Sequence, residues 1–320
     1  MTWSVAIGGA SGLVGKALQA HFADSYPEVR VLRLVRDRSQ AGPDAIYWSP
    51  QSSEIDRDAL EGVDAVINLA GEPIGPERWS EARMRRIRES RVQGTDLLAR
   101  TIATLDRRPN VFIHASAVGF YGDTRDEVVD EGSPGGDGFL ATVCEEWERA
   151  SDPAENAGVR VVRLRLGHVL SANGGLLGAM ETPFKLGLGG RFGSGRQFWS
   201  WIAIPDLIGI IFEAVNNEKM AGVVNAVTPH PVRNRDFAKQ YASALGRPAL
   251  LPAPTLALKL AFGPLQAREM LLFGQRVWPR VLEEMRFDFR YPELDETLRA
   301  LVGEGLEPPR TRLVLRQSVR

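Results

Sequence analysis

Through the first half of the chain, short runs of β-branched and apolar residues alternate with stretches whose apolar residues recur at helical spacing. Val5-Ala6-Ile7 leads into a glycine turn, after which Leu13, Val14, Ala17, Leu18 and Phe22 mark one face of a helix. The spacing predicts strand, turn, helix. Further strands are predicted at Val29 to Val35, Ile46 to Trp48, Ala65 to Leu69, Val111 to His114 and Val159 to Leu166. Arg78 to Leu105 reads as a long helix, with Arg83, Arg85, Arg86, Arg88 and Arg91 mostly on a solvated face. Strands separated by helices imply right-handed crossovers. The expected fold class is therefore α/β, a doubly wound parallel sheet with helices on both faces.

After Leu170 the texture changes. Gly174-Gly175, Gly187 to Gly190 and Gly193 to Gly195 are followed closely by Phe198, Trp199 and Trp201. Flexible loops bearing aromatic residues suit a binding cleft, and the other reading is a surface excursion that packs its aromatics inward. Pro205 to Val215 returns to helix and Val223 to Asn225 to strand. From Asn234 to Val302 the chain is mainly helical, and the proline-rich tail beyond it is expected to be loosely ordered.

Composition narrows the function classes. With 39 basic and 40 acidic side chains in 320 residues, no whole-molecule field draws the chain to nucleic acid or an anionic membrane. The longest apolar stretch, Ala249 to Leu265, is interrupted by prolines and Lys259 and falls short of a bilayer span. A single cysteine, Cys144, excludes an internal disulfide, and four scattered histidines make no case for a metal. The opening residues lack the basic start and apolar core of a signal peptide, so the cytoplasm is the expected location.

The candidate chemistry begins at Gly9-Ala10-Ser11-Gly12-Leu13-Val14-Gly15, between the first strand and the first helix. Glycines there allow a tight turn and let the backbone approach a pyrophosphate, while the helix N-terminus offers free N–H groups. The second strand ends in Arg36, where an NAD-binding protein usually carries a carboxylate. A guanidinium suits a 2′-phosphate, Arg38 adds another cation nearby, and the reading is NADP(H). Asp37 keeps NAD as the minority reading.

A set of ordered landmarks supports this cofactor reading. They include Gly8 to Gly15, Asn68-Leu69-Ala70-Gly71-Glu72-Pro73, Ser90 to Thr95, Ser116 to Gly122, Ser133 to Asp137, Phe139-Leu140 with Trp147-Glu148, and Leu272 to Val277. In order and spacing the chain resembles the extended short-chain dehydrogenase/reductase superfamily. It is most similar to the atypical epimerase-family branch with a distinctive C-terminal domain. The resemblance implies a Rossmann-type sheet with a smaller, mainly helical substrate domain. Residues 1–170 with 205–227 would form the NADP-binding domain, 171–204 with 228–302 the substrate-binding subdomain, and 303–320 the tail. Cofactor contacts are implied for Gly9, Ser11, Gly12, Leu13, Val14, Gly15, Val35, Arg36, Leu69, Ala70, Gly71, Arg91 and Val169. A homodimer is also implied.

The superfamily's catalytic set is a Ser or Thr with a Tyr-x-x-x-Lys pair, in which the lysine lowers the tyrosine pKa. Here the Tyr and Lys slots fall on Leu140 and Cys144, which cannot do that chemistry. Ser116 and Tyr121 are left as the candidate catalytic hydroxyls. Glu131, Lys185, Gln197 and Trp201 are the implied substrate-pocket residues, and Ala203 stands where branch members commonly have histidine. No metal is expected. The combined expectation is an NADP(H)-dependent oxidoreductase or epimerase-like enzyme acting on a small carbonyl or hydroxyl compound, with a nucleotide sugar as the inherited label. Because the proton-transfer pair is missing, a non-catalytic NADPH-dependent sensor or scaffold is the rival.

Overall fold

The computed structural model describes residues 3–75, 77–303 and 305–315. Its main sheet contains β1 (Ser4–Gly8), β2 (Arg30–Val35), β3 (Ala45–Ser49), β4 (Glu54–Ile55), β5 (Ala65–Asn68), β6 (Val111–Ala117), β7 (Arg160–Leu166) and β8 (Gly222–Ala226). In space the order is β8-β7-β6-β5-β1-β2-β3-β4, and every pairing is parallel except the antiparallel edge between β3 and β4. Helices α1 (Leu13–Ser25), α2 (Glu81–Thr104), α3 (Phe139–Arg149), α4 (Asp152–Asn156), α5 (Gly175–Lys185), α6 (Ile204–Asn216) and α7 (Asn234–Ala244) follow in chain order. Among the described residues no helix is long and apolar enough to cross a membrane.

The pleat of the central strands sorts their side chains between two layers. Val5, Ile7, Ile67 and Ile113 pack with Leu18 and Phe22 of α1 and with Ile208, Ile211 and Phe212 of α6. Ala6, Val66, Phe112, Leu32 and Leu34 face Leu98, Ala99 and Ile102 of α2 on the other side. Each large apolar side chain so buried contributes roughly 1.5–3 kcal/mol. The period-two alternation explains why the central strands read as continuous apolar runs, since both faces are covered.

Helix α2 begins at Glu81 rather than Arg78 because Ser80 caps it, its Oγ accepting from the N–H of Arg83. From β1 the strand order runs outward in opposite directions, through β2 on one side and β5 on the other. A switch of this kind leaves a crevice beyond the carboxyl ends of those strands.

A third apolar cluster gathers Leu177, Met180 and Phe184 of α5, Phe237, Ala238 and Tyr241 of α7, Leu294 and Leu298 of the helix Leu294–Val302, and both Trp199 and Trp201. This corrects the expectation of an aromatic-bearing cleft after Leu170. The aromatics pack inward, and Trp201–Ala203 forms a short parallel ladder with His168–Leu170. The glycines there serve close packing: a Cβ at Gly189 would lie 2.3 Å from the Phe184 ring, and one at Gly190 would lie 2.1 Å from the carbonyl oxygen of Leu251.

The tail also differs from expectation over its described residues. Leu313 is buried in the first cluster and its N–H donates to the Tyr26 hydroxyl at 2.8 Å. Asn216 at the end of α6 accepts from the N–H of Val314 and donates to the carbonyl of Arg312. Leu313 and Leu315 supply the apolar anchor that the proline-rich stretch before them lacks.

Candidate functional site

A cavity of about 780 Å³ opens at the switch point. It is lined by Gly9, Ala10, Ser11 and Gly12 after β1, by Val35 and Arg36 at the end of β2, and by Leu69, Ala70 and Gly71 after β5. Its floor requires glycine. Gly9 has φ +76°, and a Cβ there would lie 2.6 Å from the carbonyl carbon of Leu69. A Cβ at Gly15 would lie 2.3 Å from the carbonyl oxygen of Gly9, so this glycine lets α1 sit against the loop.

Gly12 is different. A Cβ on it would meet only the Gly9 carbonyl oxygen, at 3.2 Å, so a larger side chain would project into open space at the helix N-terminus. No side chain caps α1 and no acid occupies its first turn, so its positive end is free to meet an anion. The residues present therefore fit a dinucleotide pyrophosphate.

The charges around the cavity are unequally partnered. Among the described residues Arg36 makes no side-chain hydrogen bond or ion pair, and the same holds for Lys16 of α1 and Arg33 of β2, which line the same space. Asp37 caps the short turn Arg38–Gln40, accepting from the Ser39 N–H at 2.9 Å and its hydroxyl at 2.7 Å. Those bonds hold its carboxyl below the usual range. Arg38 is not free as the sequence suggested: it pairs with Glu54 at 2.8 Å and lies 4.1 Å over the Tyr47 ring. The sequence reading missed Lys16 and Arg33.

Five predicted cofactor residues do not line this cavity: Gly15, which packs α1 against the loop, and Leu13, Val14, Val169 and Arg91. Leu13 and Val14 begin α1, and Val14 packs against the first cluster, as does Val169 in its short ladder. Arg91 lies beside the Gly71 loop: its Nη1 donates to the carbonyls of Glu72 and Ile87, both at 3.0 Å, and its guanidinium lies 5.2 Å from the Trp147 ring. The solvated face expected for the arginines of α2 also fails at Arg83, which is buried and bonded to Glu72.

Ser116 and Tyr121 meet through a buried polar network instead of on an open wall. The Ser116 hydroxyl donates to Glu148 Oε1 at 2.7 Å. Arg165 of β7 grips that carboxylate with Nε and Nη2, each at 2.8 Å, and gives Nη1 to the Tyr121 hydroxyl at 2.9 Å. Tyr121 in turn donates to Asn225 Oδ1 at 2.8 Å. Burial pushes the Tyr121 pKa up to about 12 despite Arg165. Cys144 is also pushed up to about 12, by burial and then by Glu148, which keeps it a thiol.

Glu131 adjoins this network. Its Oε1 accepts from the N–H of Asn225 at 3.0 Å and of Val281 at 3.4 Å, while Oε2 is buried with no hydrogen-bond partner among the described residues. Burial raises its pKa.

The other residues expected in the substrate pocket sit as follows. Trp201 is fully buried with its indole N–H on the His230 carbonyl, Gln197 bonds the carbonyls of Phe192 and Leu271, and Lys185 is an exposed partner of Glu181. Sequence reasoning takes Glu148 only as a landmark and assigns no role to Arg165 or Asn225. The available signal was the pair Arg163 and Arg165 alternating with Leu164 inside an otherwise apolar strand.

Comparison with known proteins matches residues 5–226 to the NAD dependent epimerase/dehydratase family and residues 253–301 to a domain of unknown function, DUF1731. An epimerase family protein of Mycobacterium bovis is 44% identical over 294 residues, covering 92% of this chain and 96% of that one. The crystal structure of human epimerase family protein SDR39U1 with NADPH is 35% identical, with a TM-score of 0.84 over 95% of this chain and all of that one. The nucleoside-diphosphate sugar epimerase from Corynebacterium glutamicum is 37% identical, with a TM-score of 0.77 over 95% of this chain and 59% of that one. Sheet order, glycine loop and these likenesses agree, and the chain belongs to the NAD-dependent epimerase/dehydratase family.

Proposed function

We propose that the protein binds NADP(H) across the switch-point cavity and acts as an oxidoreductase or epimerase-like enzyme on a small carbonyl or hydroxyl compound. One observation carries the cofactor half: Arg36, in the slot where NAD proteins place a carboxylate, reaches the cavity with no partner of its own, while Asp37 beside it caps its own turn. The NADPH in the human relative's crystal structure supports the same choice. When bound, the nicotinamide would supply or take a hydride.

This chain's residues would do the rest. The Gly9 to Gly12 backbone and the α1 N-terminus would hold the pyrophosphate, with Gly71 positioned from below by Arg91. Ser116 and Tyr121 are the proposed proton-handling hydroxyls, joined by Glu148 and Arg165, with Glu131 as the neighbouring carboxyl. A nucleoside-diphosphate sugar is one substrate class to test, after the Corynebacterium glutamicum relative. The proposal also keeps the cytoplasm as location and a homodimer as assembly.

A specific observation favours the rival reading of an NADPH-dependent sensor or scaffold. The Tyr121 hydroxyl is held by both Asn225 and Arg165 inside the fold, and Leu140 and Cys144 supply neither phenol nor amine. Steady NADPH consumption with one member of a panel of aldehydes, ketones and nucleoside-diphosphate sugars supports the enzyme. Tight NADPH binding with no turnover across that panel supports the sensor.

A further inference from the structure

We infer that a leucine face built around helix α8 (Thr255–Phe262) is where two copies of this chain meet. The inference rests on the homodimer reading above and gives that dimer its face. Ala249 to Leu265, the longest apolar stretch of the sequence, lies largely outside the core. Of α8 only Leu258 is buried, whereas Leu256 and Leu260, at i and i+4 on the opposite side, are 69% and 70% exposed. A helix apolar on opposite faces needs cover on both, and the single chain supplies one.

Three segments make the face continuous. Residues 187–193 run beside 248–253: a Cβ at Gly187 would touch Pro248, Gly190 lies against Leu251, and Phe192 pairs with Ala253 in a parallel bridge. That register brings Leu186 and Leu188 alongside Leu250 and Leu251, all four exposed, and Thr255 at the start of α8 rests on Gly193. Of the ten large apolar side chains exposed among the described residues, these four with Leu256 and Leu260 are six. At roughly 100 Å² for a whole leucine side chain, they expose about 400 Å², half of the ~800 Å² that a stable interface takes from each partner. The exposed prolines and alanines between them extend the same patch. Charge then names the occupant. Lys259 is the one charged residue of α8, and no acid occurs from Pro248 to Phe262 or from Leu186 to Phe192. A helix lying in a lipid headgroup layer carries a cationic polar face, which one lysine does not make. A face almost without charge suits an equally apolar one, and a second copy provides it. Leu256 and Leu260 stand symmetrically about Leu258, so two α8 helices packed antiparallel about a twofold axis set Leu256 against the partner's Leu260, with Lys259 at the rim.

Sedimentation equilibrium on the full chain tests this in wild type, in Leu256→Glu with Leu260→Glu, and in Val128→Glu as an exposed apolar control outside the face. Wild type should be a dimer at micromolar concentration. The double variant should raise the dimer dissociation constant by about a hundredfold or more while circular dichroism stays that of wild type, because the dimer would have to bury its carboxylates. Val128→Glu should leave the constant unchanged. Leu256→Ser with Leu260→Ser repeats the test without added charge, so that a fold upset by the carboxylates does not decide it, and should weaken the dimer about tenfold. A dimer unaffected by either double variant overturns the face and leaves the homodimer reading standing. Monomeric wild type overturns both, and its sedimentation with mixed phosphatidylcholine and phosphatidylserine vesicles would give the leucines to a lipid surface instead.

Discussion

At the scale of single residues, Gly12 bears on binding and Tyr121 on chemistry. Gly12 has ordinary backbone angles, so a side chain there is conformationally tolerated but would occupy the space assigned to the pyrophosphate. Gly12→Val should therefore abolish NADPH binding, measured by calorimetry, while circular dichroism stays that of the wild type. Unchanged affinity in the folded variant would remove Gly12 from the site. Tyr121→Phe keeps the ring and deletes a hydroxyl that serves both Asn225 and Arg165. Leaving two buried partners unmet should lower stability by about 1–3 kcal/mol in urea unfolding. If Tyr121 also handles a proton, kcat with a found substrate should fall by about a hundredfold or more. A drop in stability with unchanged kcat would assign the hydroxyl to the fold alone. The glycines and Arg36 were legible because their positions relative to strand and helix carry meaning. Lys16 and Arg33 were not, because a cation on open surface and one lining a cavity are identical in sequence.

At the scale of elements, the strands and long helices follow the apolar periodicity closely, whereas the contacts that join them do not. Helix α3 is an instance. Its N-cap is Gly138 at φ +118°, without a side-chain cap, and its first N–H groups, on Phe139 and Leu140, instead reach the buried carboxylate of Glu269 at 3.0 and 2.9 Å. A cap supplied from some 130 positions later in the chain leaves no local signal. Glu269→Ala should cost about 1–3 kcal/mol, read by urea unfolding, because it uncaps α3 and loosens the C-terminal segment against it. A loss below about 0.5 kcal/mol would show that the helix finds its cap elsewhere. The glycine-rich loops after Leu170 misled for a related reason. Composition marks them as open, but Gly189 and Gly190 are small because Phe184 and Leu251 press against them.

Across the whole molecule, burial sets the acid response and the cavity sets the function. His114 is buried and His168 partly buried, and the loss of solvent pushes their pKa values down to about 3 and about 4 from an ordinary 6.5. Both are neutral in the fold and protonate first in the unfolded chain, so stability is full above pH 6.5 and falls as pH drops toward 4. Each should contribute a slope of about 1.4 kcal/mol per pH unit in that window. Glu131 and Asp206, raised by burial, act in the opposite sense by favouring the fold as they protonate. Urea unfolding between pH 7 and 5 should show the net loss, and stability that rises on acidification would contradict the assignment of neutral histidines. On the proposed reading, the cavity at the β1/β5 switch point selects NADPH through Arg36. Calorimetry of wild type and Arg36→Ala with NADPH and NADH tests it most directly. Wild type should prefer NADPH by about 1.5–3 kcal/mol, and the preference should shrink in the variant with NADH affinity unchanged. Equal wild-type affinity for the two dinucleotides, or a preference for NADH, would contradict it.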